Sequence, residues 1–438
     1  MRVFSFAAAL ASLTWASGAL AADHPYGMPS AIPAPAYQSP SYYSAVQQAS
    51  RNEPMEPSYY EGGDEPMAVE DPAEMSGGNC GTNGCGDSPW NEGGCDSSGC
   101  CDPCSSSYFD ADCCNPWFAS VSGLIMTRDR GNKRYFTFED GNISNQITHS
   151  WDDDMDWAGG YELTVGHYFG CECECALAVT YWSLGDMEAG TNTRSTANLL
   201  STPMDVGFVD FDGRAAGTYF DTAREHRIRR ESDFDNLEVN LLHIPAARCG
   251  DNLQLSMLAG VRYFRFDDGL SFASVSGGNE FGDAGGSEEA YLDVDVDNNL
   301  LGFQIGGRAD YRLADRFSVF AAPEIGIYGN HIENDVSLRT GDGIRGTATV
   351  PGAGSVDFPL SDDKTDVAFL AQIDLGAEFA ITRQLKVFGG YRAIAVTGVA
   401  LADEQVPQFL ADTAEWEDVD SNGSLILHGA FGGLEYRF

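Results

Sequence analysis

Ten segments between residues 117 and 438 alternate apolar and polar positions with a period of two. This spacing is what an extended strand with two different faces requires. The segments are Trp117–Met126, Trp157–Phe169, Cys173–Leu184, Phe234–Ile244, Leu253–Phe266, Leu300–Leu313, Phe317–Tyr328, Val367–Ile381, Leu385–Thr397 and Ser424–Phe438. The pattern predicts ten β-strands, each with one apolar and one polar face.

The polar faces of these segments carry charges. In one of the clearest segments, Leu301, Phe303 and Ile305 share one face, while Arg308 and Asp310 lie on the other. Buried charges are costly in a packed soluble core, but they are ordinary in a wet or salt-bridged barrel lumen. We therefore expect these lumen-facing residues: Glu238, Arg262, Arg308, Asp310, Arg312, Asp374, Glu378, Lys386, Arg392, Glu435 and Arg437.

Short and long connections alternate strictly along the chain. The links after the even-numbered segments have only a few residues, whereas the others are long, acidic and rich in Gly and Asn: 127–156, 185–233, 267–299, 329–365 and 398–423. Outer-membrane barrels have short periplasmic turns and long extracellular loops in this order. The sequence thus predicts an all-β, antiparallel up-and-down transmembrane barrel of about ten strands. Two candidate hairpins raise the count to twelve: Arg134–Phe138 with Ile143–His149, or Val206–Phe211 with Thr218–Arg229.

Three further regions precede this barrel domain of residues 116–438. Residues 1–21 read as a secretory signal peptide, with a basic Arg2, an apolar run and Ala19-Leu20-Ala21 at the cleavage site. Residues 22–79 are rich in Pro, Tyr, Ser and Glu and are expected to form a disordered tether. Residues 80–115 hold eight of the twelve cysteines.

Disulfides are the expected state of cysteines in an exported chain. In the Cys-rich segment they form a small stapled module or links to neighbouring molecules, and Cys101-x-x-Cys104 leaves a zinc site as the alternative. The remaining four cysteines fall at the first two predicted periplasmic turns: Cys171, Cys173, Cys175 and Cys249. We expect Cys249 to pair with one of the other three, and four free thiols are the alternative.

The chain is strongly acidic, with 66 Asp and Glu against 25 Lys and Arg and a formal net charge of −41. This charge excludes nucleic-acid binding through the general field of the protein. It also repels anionic headgroups unless divalent cations intervene. Outer-membrane lipid and lipopolysaccharide are the expected partners, and the protein itself or other envelope proteins are expected partners through disulfides. No cofactor is expected.

Catalytic motifs are absent from the sequence: there is no G-x-S-x-G, H-E-x-x-H, P-loop or paired C-x-x-C. Residues 293–297 read Asp-x-Asp-x-Asp, but Asn298 and Gln304 replace the Gly and the bidentate Glu of an EF-hand loop, which excludes that motif. His149 with the acidic residues of 152–156 forms one cluster of the kind seen at the rim of barrel hydrolases. Nothing pairs it with a second catalytic group, so we expect that the protein is not an enzyme.

Three short motifs resemble a known family. Asn115-Pro116-Trp117-Phe118-Ala119-Ser120 leading to 128–130 resembles the first strand of planctomycete outer-membrane barrels related to the Legionella major outer-membrane (pore-forming) proteins. Gly389-Gly390-Tyr391-Arg392 and the following residues to 402 are similar to that family's penultimate strand. The end of the chain, with Tyr436 and Phe438, resembles the insertion signal read by the outer-membrane assembly machinery. The resemblance implies a pore or structural role and no catalytic residues.

These observations predict a protein of the bacterial outer membrane. We expect a porin-like passive pore for small solutes and ions, narrow or partly plugged by paired charges, or a structural component of the envelope. A barrel that displays adhesive loops is the alternative, and an outer-membrane hydrolase is a further one.

Overall fold

The computed structural model describes residues 116–152, 155–169, 174–197, 199–245, 252–277, 280–350 and 354–438. The predicted signal peptide, tether and Cys-rich segment lie outside these residues.

The described elements are long strands, short strands and single-turn helices. In chain order they are β1 (Trp117–Arg128), β2 (Tyr135–Glu139), β3 (Asn142–His149), β4 (Ala158–Phe169), β5 (Cys175–Arg194), β6 (Leu200–Ser201), β7 (Val209–Phe211), β8 (Arg214–Ala215), α1 (Gly217–Phe220), β9 (Glu225–His243), β10 (Leu253–Val275), a 3-10 turn (Asp283–Gly286), β11 (Glu289–Ala314), β12 (Phe317–Thr340), β13 (Thr347–Val350), β14 (Gly354–Asp357), β15 (Leu360–Ala380), β16 (Leu385–Val399), α2 (Ala402–Gln405), α3 (Thr413–Trp416) and β17 (Gly423–Arg437). No described helix is long and apolar enough to cross a membrane.

Ten strands close into one antiparallel barrel. Around the cylinder they run β1-β17-β16-β15-β12-β11-β10-β9-β5-β4, and β4 pairs with β1 again. The register between the first and last strands runs from Phe118↔Arg437 to Arg128↔Leu427, so the end of the chain seals the wall. Each of the ten predicted segments overlaps one barrel strand, and the predicted up-and-down barrel is confirmed.

Neither candidate hairpin adds a strand to the barrel. Strands β2 and β3 do pair, but they form a separate three-stranded sheet with β6. Strand β7 belongs to a four-stranded sheet with β8, β13 and β14. The segment predicted as Thr218–Arg229 splits between α1 and the start of β9. The barrel therefore has ten strands.

Much of the sequence that we predicted as long loops is strand. β10, β11 and β12 contain 23, 26 and 24 residues, whereas a tilted strand crosses a bilayer with about 9–11. The wall therefore continues beyond the membrane on the side of the long connections, and the prediction of loops there was wrong. The extracellular half of the wall reverses the alternation that marks the membrane half, which hid these strands in the sequence.

Strand β11 shows the reversal directly. In the extracellular part of β11, before residue 300, the outward side chains are Asp293, Asp295 and Asp297. The inward side chains between them are apolar and buried. From Leu301 onwards the outward side chains are apolar, and Ile305 is 61% exposed. The outer face of the wall is therefore apolar where it contacts lipid, and polar where it contacts water above the membrane.

The apolar core sits inside the extracellular half. The outer core is a contacting cluster of wall residues with side chains from four long connections: Phe136, Met204, Val206, Val209, Phe211, Ala216, Tyr219, Phe220, Ile228, Leu270, Phe272, Ala290, Leu292, Val294, Val296, Ile332, Val336, Leu338, Ala348, Phe358, Ala400, Ala402, Val406, Leu410, Ala411, Trp416 and Val419. Residues 204–220 and 400–419 thus fold into the cylinder rather than away from it.

The reversal predicts that an arginine introduced on the outer face of β11 destabilises the protein by different amounts at two positions along the strand. Ile305→Arg places a charge on the lipid face, which costs about 2–4 kcal/mol near the bilayer midplane. Asp295→Arg, on the same face ten residues earlier, is expected to change stability by less than about 0.5 kcal/mol. Urea unfolding of both variants in liposomes measures the difference. Equal destabilisation by both variants would contradict the assigned membrane boundary.

Candidate functional site in the barrel lumen

The membrane half of the lumen contains a polar cavity, called the chamber here, of ≈ 320 Å³. Its lining reaches Ile244, Asn252 and Arg312 at the periplasmic ends of β9, β10 and β11. It extends upwards to Glu238, Glu324 and other carboxylates in the middle of the wall. Most of its lining is polar or charged because lipid takes the apolar face of each strand.

Two guanidinium groups organise the deep end of the chamber. Arg262 is fully buried, and its Nη2 donates to Glu238 Oε1 at 2.5 Å, Glu324 Oε2 at 2.8 Å and Gln372 Oε1 at 3.0 Å. Gln304 Nε2 donates to the second oxygen of Glu238 at 2.9 Å. This arrangement holds two carboxylates around one arginine.

The second guanidinium group, that of Arg392, also pairs with two carboxylates. Arg392 binds both oxygens of Asp374 through Nε and Nη2, at 2.7–3.2 Å, and its Nη1 donates to Glu162 Oε2 at 2.5 Å. All three residues are buried. Such pairs are costly to desolvate, and removal of one partner leaves the other as an unpaired buried charge.

The mouth of the chamber carries more cations than anions. Arg308 Nε donates to both oxygens of Asp310 at 3.0 Å, and its Nη2 donates to Glu378. Lys386 Nζ lies 3.5 Å from Glu378 Oε2, and Arg437 Nε donates to Glu435 Oε1 at 3.1 Å. With Arg312, the mouth therefore has four basic and three acidic side chains.

The structure places the sequence-predicted lumen residues on the inner face of the wall. All of them line the chamber except Arg262, which lies directly behind Glu238 and Glu324. Of the predicted disulfide candidates, Cys171, Cys173 and Cys249 lie outside the described residues. Cys175 begins β5 and has its Sγ 3.9 Å from His243 Nδ1, and the predicted pairing remains a prediction. Tyr436 and Phe438 stack at 6.1 Å at the periplasmic end of the chain.

A layer of apolar side chains, called the septum here, lies inside the lumen above the chamber. Every barrel strand contributes at least one inward residue to it: Leu124, Met126, Ala158, Trp182, Leu184, Phe234, Phe264, Phe266, Leu300, Tyr328, Ala368, Leu370, Ile394, Val396, Leu425 and Leu427. Trp182 and Phe264 lie 6.0 Å apart, and Phe234 stacks on Phe266 at 5.0 Å. Lower in the wall, Gly376 makes room for the Phe320 ring of the chamber lining, because a Cβ at residue 376 would lie 2.5 Å from Phe320 Cζ.

Four buried charges lie between the septum and the outer core. Arg128 contacts Asp268 at 2.7 Å, and Arg230 contacts Asp268 at 3.6 Å and Asp403 at 3.4 Å. Ala402 N donates to Asp268 Oδ2 at 3.0 Å. Burial raises the pKa of the Asp403 carboxyl, with Arg230 acting against that effect. These contacts fasten the 400–419 segment to the wall.

Asn298 fastens the same segment by its backbone. Its side-chain amide donates to Ala400 O at 2.9 Å and accepts from Ala400 N at 2.8 Å, as a neighbouring strand would. Sequence reasoning missed Asn298, Asp268 and Asp403, which have no motif of their own. For Asp268 and Asn298, which lie in the wall, the sequence signal that could have identified them is the reversed alternation of apolar and polar positions around each residue.

The three aspartates at 293–297 lie on the outer wall, not in a loop. They belong to a carboxylate surface on which one row runs across five paired strands: Asp233, Asp267, Asp297, Glu333 and Asp363. Burial and the neighbouring Asp297 carboxyl raise the pKa of Asp267 to about 7. Within the described residues, no group of three or more His, Cys, Asp or Glu side chains has metal-binding geometry.

His149 engages its own turn. Its Nε2 lies 3.2 Å from Asp152 Oδ1, and its Nδ1 accepts the Trp151 backbone N–H at 3.2 Å. Asp152 Oδ2 also accepts the His149 backbone N–H. Residues 153 and 154 lie outside the described residues. The described contacts are those of a polar turn that follows β3.

An antiparallel cylinder with an apolar outer band, a charged lumen and one extended extracellular end defines an outer-membrane β-barrel of the porin type. The chain belongs to the family described as "Putative beta barrel porin-7 (BBP7)", whose family model matches residues 119–422. It is therefore a porin-like protein of the bacterial outer membrane. None of the curated proteins matches the chain significantly in sequence.

Several solved outer-membrane barrels are similar in fold. The outer membrane protease OmpT from Escherichia coli is 10% identical, with 76% of this chain and 100% of that chain covered and a TM-score of 0.39. A major outer membrane protein from Thermus thermophilus is 12% identical, with 74% and 98% covered and a TM-score of 0.27. OprG from Pseudomonas aeruginosa is 10% identical, with 73% and 96% covered and a TM-score of 0.23. Similarity at this level carries no information about activity.

The deep-end ion pairs generate a stability prediction. Arg392→Met leaves two buried carboxylates without their cation, which is expected to cost about 3–5 kcal/mol. Arg265→Met serves as control, since Arg265 pairs with Asp267 on the outer wall with a 43% exposed side chain, where a pair contributes about 0–1 kcal/mol. Urea titration of the folded barrels in detergent compares them. Equal losses would contradict the burial of the Arg392 cluster.

His226 generates a pH prediction for the outer core. It is fully buried, its Nδ1 lies 2.9 Å from Thr137 Oγ1, and burial lowers its pKa to about 3. As pH falls from 7 to 5, the unfolded chain binds a proton that the folded one refuses, so stability falls by about 2 kcal/mol through this group. Urea unfolding at both pH values measures the loss.

Two variants isolate the histidine contribution from that of the carboxylates. His226→Gln is expected to remove this part of the pH dependence, while His331→Gln, at an exposed histidine on β12, is expected to retain it. An unchanged pH dependence in His226→Gln would show that His226 is not buried in its neutral form.

Proposed function

We propose that this porin-like barrel is a narrow channel held shut at rest by two apolar layers in series. The septum carries the proposal, because all ten strands contribute to it and its central aromatic side chains are fully buried. The outer core forms the second layer. A solute that enters the chamber from the periplasmic side meets both layers, so passage requires both to rearrange.

The electrostatics of the wall agree with a closed resting state. In the membrane half, inward charges pair with one another around the chamber instead of lining a wide aqueous path. A ten-stranded barrel is narrow, so large inward side chains suffice to fill it. The same closure supports a structural role in the envelope as the second candidate, and conductance separates the two.

We further propose that the barrel has no catalytic role. Both ring nitrogens of His149 are engaged within its own turn, which supports this proposal against a rim hydrolase. A relation to the planctomycete and Legionella barrels, suggested by residues 115–130 and 389–402, is also a proposal. So are contacts with lipopolysaccharide, recognition of Tyr436 and Phe438 by the assembly machinery, and disulfide links to envelope proteins.

Planar-bilayer conductance tests the two-layer closure. Wild type is expected to be silent at low voltage. Replacing residues 403–418 by a short Gly-Ser linker removes most of what the 400–419 segment contributes to the outer core. Phe264→Ala with Phe266→Ala opens the septum. Each change alone is expected to leave the barrel closed, because the other layer remains, whereas the combination is expected to conduct.

Controls keep the test interpretable. Each Phe→Ala change in the septum costs about 3–5 kcal/mol, so heat-modifiable migration on gels must first show that the barrel is folded. Phe303→Ala with Phe369→Ala, on the lipid face, is the matched pair and is expected to stay silent. Steady conductance by wild type would contradict a closed resting state. A folded combined variant that never conducts would favour the structural role.

A further inference from the structure

We infer that the chamber is a binding site for a small peptide-like zwitterion that enters from the periplasmic side, with its ammonium group at the deep end and its carboxylate at the mouth. This inference goes beyond the closed channel, since it requires a ligand to bind within the chamber and does not require solute to pass, or to be stopped, at the septum.

The deep end has an excess of negative charge. It contains four carboxylates and two guanidinium groups: Glu162, Glu238, Glu324 and Asp374, with Arg262 and Arg392. Four negative and two positive charges leave a formal charge of −2, and both arginines already donate to these carboxylates. A cation brought into this poorly solvated region is therefore attracted more strongly than it would be in bulk water.

The carboxylates of the deep end are held in place before a ligand arrives. Gln304 Nε2 donates to both Glu238 Oε2 and Asn240 Oδ1 at 2.9 Å. Asn236 and Asn240 donate to the two oxygens of Glu238 at 2.8 and 2.9 Å. Glu324 accepts from Arg262 through Oε2, and its side chain, 13% exposed, is the most open of the four carboxylates. We assign the ammonium position to its vicinity.

The mouth has the opposite sign. Four basic residues face three acidic ones there: Arg308, Arg312, Lys386 and Arg437, with Asp310, Glu378 and Glu435. The formal charge is thus +1, in a chain whose net charge is −41. Guanidinium groups suit a carboxylate because they present paired donors. An anionic group is therefore stabilised at the mouth and repelled from the deep end.

The spacing of the two charged regions favours a short peptide over a single amino acid. Gln304 at the deep end and Arg308 at the mouth are four residues apart on β11, which is about 13 Å of strand. An extended tripeptide spans about 10 Å between its ends. The cavity of ≈ 320 Å³ falls within the size range of small-ligand pockets.

Isothermal titration calorimetry on the full-length protein in detergent tests the inference. The probes are trialanine, N-acetyl-trialanine, which lacks the ammonium group, and trialanine amide, which lacks the carboxylate. We expect saturable binding of trialanine and at least a tenfold weaker affinity for each blocked form. Absence of saturable binding by all three probes would overturn the inference. So would equal affinities for trialanine and its amide, because the mouth would then contribute nothing.

Charge variants assign the two ends. Glu324→Gln is expected to weaken trialanine at least tenfold but to leave N-acetyl-trialanine unchanged, with Glu333→Gln on the outer face of the same strand as control. Arg308→Gln is expected to weaken trialanine but not its amide, with Arg265→Gln as control. Unchanged affinity in both test variants would place the binding site elsewhere and overturn the inference.

The outcomes also separate this inference from the closed channel. A wild-type barrel that is silent in bilayers yet binds trialanine supports both. One that conducts and binds removes the closed state alone, and one that is silent and binds no probe removes the zwitterion site alone.

Discussion

The medium outside the cylinder determines what must lie inside it. A strand presents alternate side chains to its two faces, so a wall in lipid sends apolar side chains outwards and leaves polar ones for the lumen. Where the same wall rises into water, the apolar face must turn inwards. Strand β11 makes this change within a few residues, from the outward Asp297 to the outward Leu301. The apolar outer core follows from that change.

The charged chamber follows from the same constraint. Inward positions of the membrane half have no lipid to contact and lie too close together for a broad water column. Arg262 and Arg392 therefore each pair with two carboxylates, and amide side chains complete the hydrogen bonds. Buried pairs of this kind contribute little net stability, but the loss of either partner destabilises the fold strongly. They also leave the deep end anionic and the mouth cationic, a polarity along the barrel axis.

Sequence patterns were sufficient for the barrel and for its inward charges. The period of two identified all ten strands, and the parity of loop length indicated how they connect. The apolar septum could not be predicted in this way. Phe264 and Phe266 share a face with Arg262 and read as a continuation of the polar side, because alternation shows which residues share a face and not what surrounds that face.

Long-range packing explains the other omissions. Residues 204–220 and 400–419 have the composition of loops, and they bury apolar side chains only because the reversed wall offers them an apolar interior. Asn298 stands where an EF-hand loop has its invariant Gly, yet its amide pairs with the backbone of Ala400, 102 residues away. Partners so distant in sequence leave no local signal at either position.

Hydroxyl-radical footprinting with mass spectrometry, on the barrel in liposomes, tests most directly whether water is excluded from the lumen at the septum. The radical reaches only side chains in contact with water. Trp182 and Phe264 should remain at background oxidation, while the exposed Phe208 and Trp151 of the extracellular end react. Oxidation of Phe264 at a rate comparable with that of Phe208 would mean that a water column crosses the barrel, and would contradict the closed lumen.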